Sequence, residues 1–116
     1  MVIGSLYAVV LDCPDPALLA EFYRSFLGGR IEQDGEWVDL ILPGNGARLS
    51  FQHSPGFVPP RWPGDDGDQQ SHLDISVGDI EEAHDRIVDC GARFIEAHEG
   101  FRVYLDPAGH PFCTVR

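Results

Sequence analysis

Lysine is absent from this sequence, and all eight of its basic residues are arginines. The chain therefore lacks a lysine for Schiff-base catalysis and the lysine of a phosphate-binding loop. Acidic residues number 19, which gives a net charge of −11. Nucleic acids and anionic membrane surfaces attract positively charged proteins, so we expect neither as a partner. A cationic ligand, in contrast, would be attracted, and the alternative role of the acidic surface is solubility alone.

Cysteine is also scarce, with only Cys13, Cys90 and Cys113 and no Cys-x-x-Cys pair. An odd number of cysteines without a pairing pattern argues against a disulfide framework and a structural zinc knot, and favours a reducing compartment. No apolar run approaches the roughly 20 residues that a membrane span requires. Residues 1–11 lack the positive charge and cleavage site of a secretory signal. We therefore expect a cytoplasmic protein.

Turn and capping residues divide the chain into short elements. Asp15 is typical of a helix N-cap, and Gly28 is typical of the helix end that follows it. Asp79 and Gly91 delimit a second helix in the same way. Alternating or apolar segments between these signals predict strands. The predicted strands cover residues 7–11, 30–33, 36–42, 47–53, 72–77, 93–96, 101–105 and 110–115.

The landmarks of the first half recur in the second half at a nearly constant offset, which indicates an internal repeat. Offsets of 64, 64, 63 and 63 residues relate Asp15 to Asp79, Pro43 to Pro107, Gly28 to Gly91, and Gly46 to Gly109. Each half is thus strand, helix, strand, strand, strand. We predict one α+β domain, residues 1–116, whose two βαβββ modules form a curved mixed sheet around a cleft. Module one is 1–53, the connector is 54–70 and module two is 71–116.

Three groups of residues carry a family resemblance. They are Asp12-Cys13-Pro14-Asp15-Pro16 leading to Phe22-Tyr23 and Leu27-Gly28, then His72-Leu73-Asp74, and finally Asp106-Pro107-Ala108-Gly109-His110-Pro111-Phe112. With these the chain resembles the vicinal-oxygen-chelate superfamily of glyoxalases, bleomycin-resistance proteins and extradiol dioxygenases, and within it the small glyoxalase-like domain. The resemblance implies the glyoxalase/dioxygenase-like fold and a homodimer.

Metal-dependent members of this superfamily place histidine, glutamine or glutamate ligands on the first and last strands of each half. The matching positions here are Ala8, Ser50, His72 and Cys113, of which only His72 is a usual ligand. Gln52 and Asp74 lie two residues further along two of these strands and add possible donors on the same face. We therefore expect no resident metal. A divalent metal such as zinc, bound around His72, is the alternative.

The resemblance implies first a small-molecule binding protein, whose ligand would contact Ser50, Gln52, His72, Asp74 and Cys113. One alternative is a metal-dependent lyase, isomerase or dioxygenase with an atypical site and His72 as catalytic residue. Another is a non-catalytic interaction subunit with a vestigial cleft.

Individual side chains leave further alternatives open. Cys113 is either a nucleophile beside His72 or a small buried hydrophobic residue. Trp62, in a connector rich in proline and glycine, either packs on its own domain or forms an interface or a lid over a cleft. The other histidines are expected to have solvated structural roles, namely His53, His84, His98 and His110.

Overall fold

The structure, a computed structural model, describes residues 2–44, 46–62 and 70–116. Its backbone separates into two compact units, Met1–Phe57 and Val58–Arg116. Residues 63–69 of the predicted connector lie outside the described residues, whereas 58–62 belong to the second unit. Among the described residues, no helix is both long and apolar enough to traverse a bilayer.

The first unit is one four-stranded mixed sheet with one helix. Its elements are β1 (Ala8–Cys13), α1 (Pro16–Leu27), β2 (Arg30–Asp34), β3 (Trp37–Ile41) and β4 (Arg48–His53). The sheet order is β1-β4-β3-β2, in which β1 runs parallel to β4 and the other pairs are antiparallel. The first and last strands of the unit are therefore neighbours.

Helix α1 begins and ends where the sequence predicts. The Asp15 side chain accepts a hydrogen bond from the Leu18 N–H at 3.2 Å, and Gly28 ends the helix with φ +76°. The buried side of the helix is rich in aromatic residues. Tyr23 is fully buried and stacks on Phe51 of β4, with ring centroids 6.0 Å apart. This contact joins the helix to the sheet within the core of the unit.

The second unit repeats this architecture. Its elements are β5 (Leu73–Ser76), α2 (Ile80–Asp89), β6 (Arg93–His98), β7 (Phe101–Leu105) and β8 (Pro111–Val115). The order β5-β8-β7-β6, with β5 parallel to β8, is the order of the first sheet. Asp79 caps α2 by accepting from the Glu82 N–H at 3.0 Å. The predicted βαβββ repeat is thus confirmed.

Strand register also confirms which positions of the two units correspond. Ser50 pairs with Val10 of β1, and Cys113 pairs with Asp74 of β5, so Ser50 and Cys113 occupy equivalent places. Side chains alternate between the two faces of a strand, so equivalent positions also face the same side of their sheets.

Two histidines that were expected to be solvated are partly or largely buried, so that expectation is wrong for them. His84 of α2 lies 2.9 Å from the buried Tyr104 hydroxyl and packs edge-on against Phe94. His110 is 2.8 Å from the carboxylate of the buried Asp106, which also accepts the His110 backbone N–H. Sequence spacing does not reveal the contacts of His84, because they depend on how α2 packs against the sheet.

Substitution of Gly29 tests how closely the turn between α1 and β2 packs against the Ile41 backbone. Its φ is +97°, and a Cβ atom built there would lie 2.3 Å from the Ile41 carbonyl oxygen. We expect Gly29→Ala to lower the free energy of unfolding by about 3 kcal/mol or more, since it adds a backbone clash to the strain. Gly35 has φ +63° with open space around it, so Gly35→Ala should lose only about 1–2 kcal/mol. Urea denaturation measures both values, and equal losses would contradict the clash.

Candidate functional site

A cavity of about 520 Å³ lies within the second unit, on the sheet face turned away from α2. Tyr104 and Phe94 contact His84 of the helix, so the residues that alternate with them, such as Val103, face the other side. The cavity is bounded by Trp62, His72, Asp74, Glu96, His98, Glu99, Gly100, Phe101, Val103, Cys113 and Val115.

Three of the predicted site residues come together in this cavity. The His72 Nε2 atom lies 3.1 Å from a carboxylate oxygen of Asp74. The ligating atoms of His72, Asp74 and Cys113 all lie within 4.8 Å of one another. The parallel pairing of β5 with β8 explains the cluster, because it sets Asp74 directly opposite Cys113. The imidazole and carboxylate remain open to solvent, with side chains 34% and 56% exposed.

The Cys113 thiol sits at the buried side of the cluster, with 4% of the residue exposed. Burial raises the pKa of this thiol, and the negative charges of Asp74 and Glu96 raise it further. The thiol is therefore neutral at pH 7, which argues against Cys113 as a free nucleophile, since the thiolate is the reactive form.

A second histidine–carboxylate pair lines the same cavity. His98 Nε2 lies 3.1 Å from a carboxylate oxygen of Glu96, and the His98 ring stacks on Phe101 with centroids 4.5 Å apart. Sequence reasoning missed these residues as site residues, although Glu96 and His98 are two apart on one strand and share a face. A β-bulge between Phe94 and Glu96 shifts the register there, and it could not be read from the sequence.

The other two predicted site residues, Ser50 and Gln52, belong to the first unit. Ser50 is fully buried, and its hydroxyl donates to the Asp39 carboxylate at 2.5 Å. The same carboxylate accepts hydrogen bonds from Trp37 at 2.9 Å and Arg48 at 3.2 Å. The Ser50 hydroxyl thus positions Asp39, whereas the Gln52 side chain is exposed.

The Asp39 carboxylate is held in its charged form. Its partial burial by itself would raise its pKa, but hydrogen bonds from Ser50, Trp37 and Arg48 and the arginine charge together outweigh burial and lower the pKa. This network therefore stabilises the fold at neutral pH, and that contribution is lost only as the pH falls through the lowered pKa.

The side chains of His72, Asp74 and Cys113 together offer metal ligands that suit zinc. Imidazole nitrogen, carboxylate oxygen and thiolate sulfur are all accepted by zinc, and three protein ligands leave a fourth position for water or substrate. Calcium and magnesium prefer oxygen donors alone, so a cysteine in the set disfavours them. Ala8, at the position that corresponds to His72 in the first unit, has no donor.

Solved structures of similar fold come from several bacteria. A glyoxalase/bleomycin resistance protein/dioxygenase family enzyme from Burkholderia phytofirmans aligns with TM-score 0.74 and 15% identity, over 96% of this chain and 97% of that chain. A glyoxalase-related enzyme from Fulvimarina pelagi aligns with TM-score 0.71 and 17% identity, over 97% and 88%. A member of the same superfamily from Sphaerobacter thermophilus aligns with TM-score 0.66 and 19% identity, over 97% of each chain. At these sequence identities the likeness to the three structures shows the fold alone.

Sequence comparison points the same way. No curated protein matches the chain. The glyoxalase-like domain family matches residues 8–115, which is nearly the whole sequence. The resemblance to the vicinal-oxygen-chelate superfamily is thereby confirmed, and the chain belongs to the glyoxalase-like domain family.

Proposed function

We propose that this protein binds a small organic molecule in the cavity of the second unit. The observation that carries the proposal is a volume of about 520 Å³ into which two imidazole–carboxylate pairs project. Sites for small molecules commonly measure about 300–1,000 Å³ and combine apolar walls with a few polar groups. An open volume of this size supports binding over a vestigial cleft filled by core side chains.

The charges around the cavity favour a cationic ligand. Asp74, Glu96 and Glu99 border it, and no arginine is among the described residues that form its wall. Trp62 and Phe101 add aromatic faces, which attract cations through the negative charge of their π-systems. The net charge of −11 attracts the same class of ligand over a longer range.

Phenethyltrimethylammonium is a suitable probe, because it joins a quaternary ammonium to one aromatic ring. At about 0.3 kcal/mol per heavy atom its twelve heavy atoms give a dissociation constant of about 2 mM. We expect Asp74→Asn to weaken binding about fivefold, because an attracting charge near the cation is lost. Asp85→Asn, on the exposed face of α2, is the matched control and should leave the affinity unchanged. Isothermal titration calorimetry at low salt measures the affinity of the unaltered protein and of both variants.

The uncharged isostere, with a quaternary carbon in place of the nitrogen, completes that experiment. We expect it to bind more weakly than the ammonium probe. Equal binding of the two probes, or an equal effect of both aspartate substitutions, would contradict a cation-selective cavity.

The clustered donors support a second candidate, a metal-dependent lyase, isomerase or dioxygenase. His72, Asp74 and Cys113 would hold a zinc ion, which as a Lewis acid polarises a bound oxygen. The carboxylate of Glu96, paired with His98 on the same cavity wall, would take up or return a proton of the substrate. Trp62 and Val103 would limit access of water.

Cysteine substitutions test this candidate. If the cluster binds zinc, Cys113→Ser should weaken zinc binding by about 100-fold, because one of three protein ligands is replaced by a poorer one. Cys90, at the end of α2 and outside the cluster, supplies the matched control Cys90→Ser. Zinc affinity is measured by competition with a chromophoric chelator, and metal content by elemental analysis. Equal affinities of the two variants would exclude the cluster as the zinc site.

A further inference from the structure

We propose that Trp62 determines ligand specificity, because its indole N–H supplies a hydrogen bond to an acceptor on the ligand. The cavity then favours an organic ammonium that also carries a carbonyl or ether oxygen. This inference rests on the proposed binding function and adds to it the second chemical group of the ligand.

Trp62 lies next to the clustered donors although it precedes the βαβββ elements of the second unit. Its ring centroid is 4.9 Å from that of His72, at an interplanar angle of 59°. The ring also borders the cavity. A ligand that contacts the His72–Asp74 pair must therefore fit beside the indole.

The indole N–H of Trp62 is a buried hydrogen-bond donor. Its nitrogen is shielded from solvent, and no acceptor within hydrogen-bond distance is found for it in the described part of the chain. A buried donor without an acceptor costs free energy, since the hydrogen bond that it makes to water in the unfolded chain is lost. A ligand oxygen that reaches this N–H after a small displacement of the ring would remove that cost on binding.

The other tryptophan of the chain shows the contrast. The Trp37 N–H donates to the Asp39 carboxylate at 2.9 Å, so this indole has its hydrogen-bond acceptor inside the first unit. Buried or half-buried indoles usually find such a partner. The unpaired N–H thus distinguishes Trp62 from Trp37.

The proposed ligand combines two complementary groups. Its cationic centre would lie near Asp74, which no arginine neutralises in the described residues that border the cavity. Its acceptor oxygen would point to Trp62. An amino ketone or an amino ether of aromatic character has this arrangement, whereas a simple alkylammonium lacks the acceptor.

Two probes isolate the acceptor. Phenacyltrimethylammonium has a carbonyl where phenethyltrimethylammonium has a methylene group, and the two are otherwise alike. We expect the unsubstituted protein to bind the carbonyl probe about tenfold more tightly than phenethyltrimethylammonium, which corresponds to one gained hydrogen bond. In Trp62→Phe, which keeps an aromatic ring but removes the N–H, this ratio should fall to about one. Trp37→Phe should retain it. Calorimetry gives the six affinities, two probes for each of three proteins, and circular dichroism checks that each variant is folded.

A fluorescence measurement keeps the test decisive if Trp62→Phe does not fold. In Trp37→Phe the only indole is Trp62, so its emission should change on addition of the carbonyl probe and saturate at the calorimetric affinity. An unchanged ratio in folded Trp62→Phe, or unchanged Trp62 emission at saturation, would overturn the inference while leaving the binding function intact. If neither ammonium probe binds the unaltered chain, the proposed function fails and the inference fails with it.

Discussion

The parallel pairing of the first and last strands of each unit is the constraint on which the site depends. It brings β5 beside β8, so that Asp74 and Cys113, 39 positions apart in the sequence, become direct neighbours. The antiparallel strands β7 and β6 then extend the same row of side chains through Val103 to Glu96. Acidic groups thus flank the Cys113 thiol from two directions, and their charges add to the effect of burial in raising the pKa of this thiol.

The first unit has the same backbone arrangement but a different distribution of charge. Its central carboxylate is Asp39 on β3, and Arg48 and Ser50 hold it in place. In the second unit the carboxylate of this cluster belongs to Asp74 on β5, and its described partner is the imidazole of His72. One copy of the repeat therefore uses its acid for internal structure, and the other presents its acid to an open volume. A duplicated fold permits this division, since one sheet can stay stable while the other changes.

Local chemistry made much of the fold predictable. The capping acids Asp15 and Asp79 and the helix-ending Gly28 act through backbone geometry within a few residues, so their roles follow from the sequence. The same landmarks indicated the repeat, and strand register then confirmed that Ser50 and Cys113 correspond. The predicted homodimer and the cytoplasmic location stay predictions.

The site was less predictable, because its contacts join residues that are distant in sequence. His72, Asp74 and Cys113 were proposed from the family resemblance. Trp62 lies beside His72 because of the path of the described connector residues 54–62, which belong to no helix or strand. His98 joins the cavity because a bulge in β6 sets the register at Glu96. Neither path nor bulge has a signal in hydrophobic periodicity.

Nuclear magnetic resonance of the five histidine side chains tests the location of the site most directly. Two of them, His72 and His98, border the cavity, and the other three lie elsewhere. During titration with phenacyltrimethylammonium, the imidazole signals of His72 and His98 should shift together and saturate, while those of His53, His84 and His110 stay in place. Saturable shifts confined to the latter three would show that the ligand binds outside the cavity and would contradict the assignment.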